Sequence, residues 1–148
     1  MFRIGIGTDT HRLVEGRPLM LGGVHVTFDR GAEGHSDADA LTHAVADAIL
    51  GALCEGDIGV HFPDKDPQWS GANSLDFLCL HVVNVDSTIL LEAPKLRPYI
   101  DAMRHNIADV LGVDTGCVSI KAKTGEELDA VGQGLAVTAQ AVVLMESN

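Results

Sequence analysis

Phe2, Ile4 and Ile6 alternate with Arg3, Gly5 and Gly7, and a period of two is the signature of an extended strand. Carried onward, the same alternation puts Asp9 and His11 on one face, a carboxylate oxygen beside an imidazole nitrogen. A helical pattern follows from His35-Ser36-Asp37 into Leu41, Thr42 and His43, so His43 brings a second imidazole from across the fold. One Asp and two His form an open three-ligand set that suits zinc and leaves a coordination position for substrate. A single His would ordinarily be a surface or core side chain. The Asp-x-His pair with a helix-borne partner is what makes a metal site the better reading.

A chain of 148 residues fits one domain, 1–148, large enough to bury about two-thirds of its unfolded surface. The net charge of −11 argues against a nucleic-acid backbone or an anionic membrane as partner. Phosphates remain within reach where a metal and a few cations reverse the sign locally. Cys54, Cys79 and Cys117 are odd in number and widely spaced, which reads as reduced thiols of an intracellular protein. The cytoplasm is expected, with a plastid stroma as the alternative if a transit peptide was removed. No apolar run approaches the ~20 residues that cross a bilayer.

Gly5-Ile6-Gly7 invites a dinucleotide-binding reading, which fails because Thr10 stands where the third glycine belongs. Pro18 to Phe28, broken by Gly22-Gly23, reads as a strand pair with a turn. Ser36 with Asp39 fits a capping box for a helix from Asp37 to about Leu53. Leu41, Val45, Ile49 and Leu53 form its apolar stripe. Asp39, His43 and Asp47 form another, whose acids either support the His43 ring or are simply solvated. Gly56 to Ser70 is a loop long enough to suggest function. Asn84 to Glu92 reads as a strand, and a helix follows from Pro98 to its stop at Gly112. Cys117 to Lys123 is a strand, Thr124 to Leu128 a turn or short helix, and Ala136 to Met145 a last strand. The expected class is α+β, ferredoxin-like, one sheet layer with helices on one face.

The ordered set Gly5-x-Gly7-x-Asp9-x-His11, His35-Ser36-Asp37-x-Asp39, Ala46-Asp47-Ala48, Gly56-Asp57-Ile58-Gly59, Phe62-Pro63-Asp64, Ala93-Pro94-Lys95-Leu96 and Lys121-Ala122-Lys123-Thr124-x-Glu126 resembles the 2-C-methyl-D-erythritol 2,4-cyclodiphosphate synthase family over most of the chain. The resemblance implies cyclisation of 4-diphosphocytidyl-2-C-methyl-D-erythritol 2-phosphate, whose 2-phosphate attacks the β-phosphate and expels CMP. It implies zinc on Asp9, His11 and His43, and magnesium or manganese on Glu126 with the substrate diphosphate. His35 and Thr124 match groups that stabilise the transition state, and Ser36 one that meets a phosphate. Asp57, Ile58 and Gly59 match the ribose and erythritol loop, with Phe62, Asp64 and Asp66 beside it. Ala93, Pro94, Lys95 and Leu96 match a cytosine-binding segment, mainly backbone, supplied by an adjacent subunit of a homotrimer. Taken by itself, Lys95 would be an ordinary surface lysine.

Two departures accompany the match. Lys123-Thr124-Gly125-Glu126 replaces Thr-Thr-Thr-Glu, which keeps the working Thr and Glu and adds a cation beside the phosphates. Gln133 stands where bacterial relatives often carry an arginine in the trimer's central cavity, so an isoprenoid diphosphate there is not expected. A metal-dependent phosphohydrolase is the rival enzyme, but no second carboxylate cluster offers a two-metal centre. A trimeric metal- or isoprenoid-binding regulator would share the ligands without turnover. Leu75 to Val83 is also about ten residues too short for the helix and loop that relatives place there. A deletion or a gap in the sequence explains this, and the gap is favoured because a deletion would shorten a helix covering the sheet.

Overall fold

The computed structural model describes residues 1–34, 36–61 and 80–147. Their elements are β1 (Phe2–Glu15), β2 (Leu19–Leu21), β3 (Val24–Val26), β4 (Arg30–Ala32), α1 (Ala40–Leu53), α2 (Ile58–His61), β5 (Leu80–Leu90), α3 (Ile100–Leu111), β6 (Val118–Lys123) and β7 (Ala136–Ser147). The class is mixed α+β, as expected. The stretch in doubt, Leu75 to Cys79, lies outside the described residues, as do His35, Phe62, Asp64 and Asp66.

Five strands form one sheet in the order β4-β1-β7-β5-β6, and β2 with β3 makes a separate ribbon turning at Gly22-Gly23. All neighbours are antiparallel except β5 and β6, where a ferredoxin-like sheet would be antiparallel throughout. The reason is the connection: α3 crosses between β5 and β6, and a helical crossover returns the chain in the same direction. β1 is longer than its alternating start implied, and β4 joins its far end.

One row across the sheet, Gly5, Val143, Val85 and Val118, is buried on the side that α1 and α3 cover. The next row turns the other way and leaves Ile6 71% and Val142 37% exposed. So the helices share one face. The close fit of α1 comes from two residues without side chains. A Cβ on Gly5 would stand 1.8 Å from the Ala48 carbonyl oxygen, and one on Gly7 2.0 Å from that of Ala44. The Gly-x-Gly pair therefore seats a helix on a strand rather than cradling phosphates. Pro98 lies two residues before α3, and Gly112 ends that helix with a φ of 67° as expected.

Candidate active site

β1 delivers Asp9 and His11 to the covered face, and α1, held on Gly5 and Gly7, brings His43 over them. Asp9 Oδ2 lies 2.9 Å from His11 Nε2 and 2.9 Å from His43 Nδ1. One ligand atom from each of the three falls within 4.8 Å of the others. His11 Nδ1 is 2.9 Å from the Glu33 carbonyl oxygen, which can only accept, so this nitrogen carries the proton. Nε2 is left with its lone pair, buried and without a hydrogen-bond partner among the described residues. A carbonyl fixing the tautomer from behind is the usual support of a metal-ligating His. The donor set of one oxygen and two nitrogens therefore fits a divalent cation.

The electrostatics agree. Burial pushes the Asp9 carboxyl up, but the His43 hydrogen bond, the neighbouring His11 and His43 rings and the Thr10 amide together carry it below its ordinary value. The hydrogen bond to Asp9 raises His43 against its partial burial, with Asp39 and Asp37 adding negative potential.

The start of α1 differs from the expected capping box. Asp39, only 2% exposed, is the cap: it accepts from the Thr42 amide at 3.0 Å and the Thr42 hydroxyl at 2.9 Å. The same carboxylate accepts from the amides of Gly22 at 2.9 Å and Gly23 at 2.7 Å, two residues with positive φ in the β2–β3 turn. Ser36 Oγ instead accepts from Ala38 N at 3.2 Å, within the approach to the helix. Neither acid supports the His43 ring by contact. Asp47 Oδ1 accepts from Ile58 N at 2.8 Å and pins the first residue of α2.

The three side chains open into a cleft of about 1060 Å³ that Arg17, Glu33, Gly34, Ser36, Ile58 and Gly59 also line. Asp57 is not among the lining, and its Oδ1 accepts from Val60 N at 3.1 Å. Ala93 to Leu96 and Lys123 to Glu126 are not among the lining. They follow β5 and β6, and β6 is three strands from β1, about 14 Å at the usual spacing. The Leu96 side chain is in the core, 4% exposed. Thr124 Oγ1 donates to Glu126 Oε1 at 2.5 Å, and Gly125 N to Glu92 Oε2 at 3.0 Å. The anticipated site is thus two groups at opposite sides of one sheet. Arg17, Glu33 and Glu92 escaped the sequence reading. Arg17 alone had a signal, a cation in a turn of an acidic chain.

A model of the YgbB family matches residues 2–146. The 2-C-methyl-D-erythritol 2,4-cyclodiphosphate synthase of Chromobacterium violaceum is 54% identical over 155 aligned positions, covering 98% of this chain and 98% of its own. That of Laribacter hongkongensis is 51% identical over 156 positions, covering 99% and 96%. Both alignments outrun the 148 residues here, so the relatives hold residues within the match that this chain lacks. A solved structure of 2C-methyl-D-erythritol-2,4-cyclodiphosphate synthase in its CDP-bound form superposes with a TM-score of 0.86 at 37% identity, over 97% of this chain and 100% of that one. With a match running almost end to end and relatives above half identical across their own lengths, the chain belongs to the YgbB family.

Proposed function

We propose that the chain is a metal-dependent cyclase that converts 4-diphosphocytidyl-2-C-methyl-D-erythritol 2-phosphate into 2-C-methyl-D-erythritol 2,4-cyclodiphosphate and CMP in non-mevalonate isoprenoid biosynthesis. The observation that carries this is the buried Nε2 of His11, without a hydrogen-bond partner among the described residues, meeting Asp9 and His43 in an open cleft. Relatives and a CDP-bound neighbour supply the class of substrate.

In the reaction a 2-phosphate oxygen forms a bond to the β-phosphorus, and the bond from that phosphorus to the oxygen bridging it to the α-phosphorus breaks. CMP leaves with the electron pair. No water is consumed, so the site has to bring two anionic groups together and keep solvent from competing. A zinc ion on Asp9, His11 and His43, with magnesium or manganese on Glu126, would supply Lewis-acid neutralisation of phosphate charge. The chain's own groups do the positioning. Ser36, on the approach to α1, lines the cleft together with Ile58 and Gly59. His35 and Thr124 are assigned hydrogen bonds to developing phosphate charge. Asp57, Phe62, Asp64 and Asp66 are assigned to the ribose and erythritol side, and Ala93, Pro94, Lys95, Leu96 and Lys123 to the cytidine diphosphate side.

The assembly on this reading is a homotrimer of single-domain chains. Its support is the division of the site, since groups about 14 Å apart in one chain serve one substrate most simply across a subunit boundary. The uncovered sheet face offers surface for it, with Phe2 63%, Ile4 70% and Ile6 71% exposed. No helix among the described residues is long and apolar enough to cross a membrane. Cys54 and Cys117 are free thiols, in keeping with the cytoplasm. The test is CMP release from the diphosphocytidyl substrate by purified, zinc- and magnesium-loaded protein. Binding without release would overturn the cyclase and favour a metal-binding regulator; release of inorganic phosphate would favour a hydrolase.

A further inference from the structure

We propose that Arg17 is a substrate-binding residue that takes the phosphate monoester of the substrate, the group that attacks. The inference rests on the cyclase reading and adds to it a residue that neither the motifs nor the family resemblance assigned. Among the described residues lining the cleft, Arg17 is the one permanent cation, in company with the carboxylates of Asp9 and Glu33. A protein of net charge −11 has to reverse that sign locally before a phosphorylated ligand can enter. Metal on the three ligands accounts for one phosphate of a substrate that carries three. The second group must be held close to the first against their mutual repulsion, and a fixed guanidinium does this without competing for the metal.

The geometry suits the task. The arm is anchored at its base, because the Arg17 and Pro18 carbonyls press on Gly31 of β4 so closely that a Cβ there would lie 2.3 and 2.2 Å from their oxygens. Its tip is anchored as well: Nη2 donates to the Ser36 carbonyl oxygen at 3.1 Å. Ser36 is the residue already assigned to a phosphate, so the guanidinium stands beside that position. A guanidinium has five N–H donors and this bond uses one, so donors remain for a bidentate phosphate contact. The Ser36 contact also removes much of the rotamer freedom that binding would otherwise have to freeze.

The alternative is that Arg17 only braces the segment before α1. Two ligands separate the cases: the substrate, and the same diphosphocytidyl compound without its 2-phosphate, used as a competitive inhibitor. For Arg17→Gln we expect the substrate KM to rise roughly 10- to 100-fold, as for a lost charge-assisted contact, with the inhibitor's Ki unchanged within about twofold. Arg17→Lys, which keeps the charge but not the fork, should fall between wild type and Arg17→Gln in KM, again with Ki unmoved. It also gives the answer if Arg17→Gln does not fold. KM and Ki rising by the same factor, or neither moving, would overturn the assignment. Failure of the wild-type protein to release CMP would instead refute the cyclase reading itself.

Discussion

Oδ2 of Asp9 and Nδ1 of His43 lie 2.9 Å apart across 34 positions of sequence, a hydrogen bond that joins β1 to α1. Its pH dependence follows from the two shifts. His43 binds its proton more tightly folded than unfolded, so its contribution is complete below its ordinary 6.5 and is lost as pH rises through the higher folded value. Asp9 is shifted down, so its contribution is complete above its ordinary 3.8 and is lost as pH falls through the lower folded value. The pair therefore stabilises most between those two ordinary values. With chelator present, the Tm gap between wild type and His43→Asn should be wider at about pH 5 than at about pH 9. An equal gap at both would contradict the assignment. Cations compete with the same proton, so zinc affinity should rise with pH across this range until His43 is deprotonated.

Gly7→Ala tests how α1 is seated. The new methyl would lie 2.0 Å from the Ala44 carbonyl, backbone that cannot turn away, so the helix must lift. Overpacking of this kind costs about 1–3 kcal/mol. His43 precedes Ala44, so zinc affinity should fall together with Tm. A variant that melts lower yet binds zinc as tightly as wild type would show that α1 adjusts without moving its ligand.

Asp47 is expected to act on the wall of the cleft and not on the metal. Its carboxylate holds Ile58 N at 2.8 Å, and Ile58 and Gly59 line the cleft. Asp47→Ala should raise KM about fivefold, the worth of roughly 1 kcal/mol for a half-buried bond, with zinc content unchanged. Asp47→Asn keeps an acceptor oxygen and should stay near wild type. Loss of zinc in either variant would return Asp47 to the support of His43.

What the sequence disclosed and what it hid divide along a physical line. Asp9 and His11 were legible because a period of two is a local property of the chain, and His43 because helical spacing is another. The apolar stripe of α1 and the Gly112 stop were legible for the same reason. Asp39 was misplaced because its carboxylate serves Gly22 and Gly23, an approach that exists only once β2, β3 and α1 have packed. Gly5 and Gly7 were already excluded as a dinucleotide loop by Thr10, but their use as a helix seat shows only in three dimensions. The parallel β5–β6 pair follows from a crossover whose direction no single segment specifies. Arg17 sits in a turn, where no periodicity marks a functional side chain.

The ligand trio lies on β1 and α1, whereas Thr124 and Glu126 follow β6, with β7 and β5 between. If one substrate spans both groups across a subunit boundary, each site takes its trio from one chain and its Glu126 from the next. His43→Ala and Glu126→Gln should then each be inactive alone. Unfolded together in equal amounts and refolded, they should form hybrid trimers in which a chain with an intact trio sometimes faces one with an intact Glu126. Random assortment puts that combination at about one site in four, so about a quarter of wild-type CMP release should return. Separate refolding followed by mixing should restore less, because subunits already assembled exchange slowly. Recovery absent under both regimes, with both variants folded and trimeric, would mean that Glu126 serves its own chain's trio.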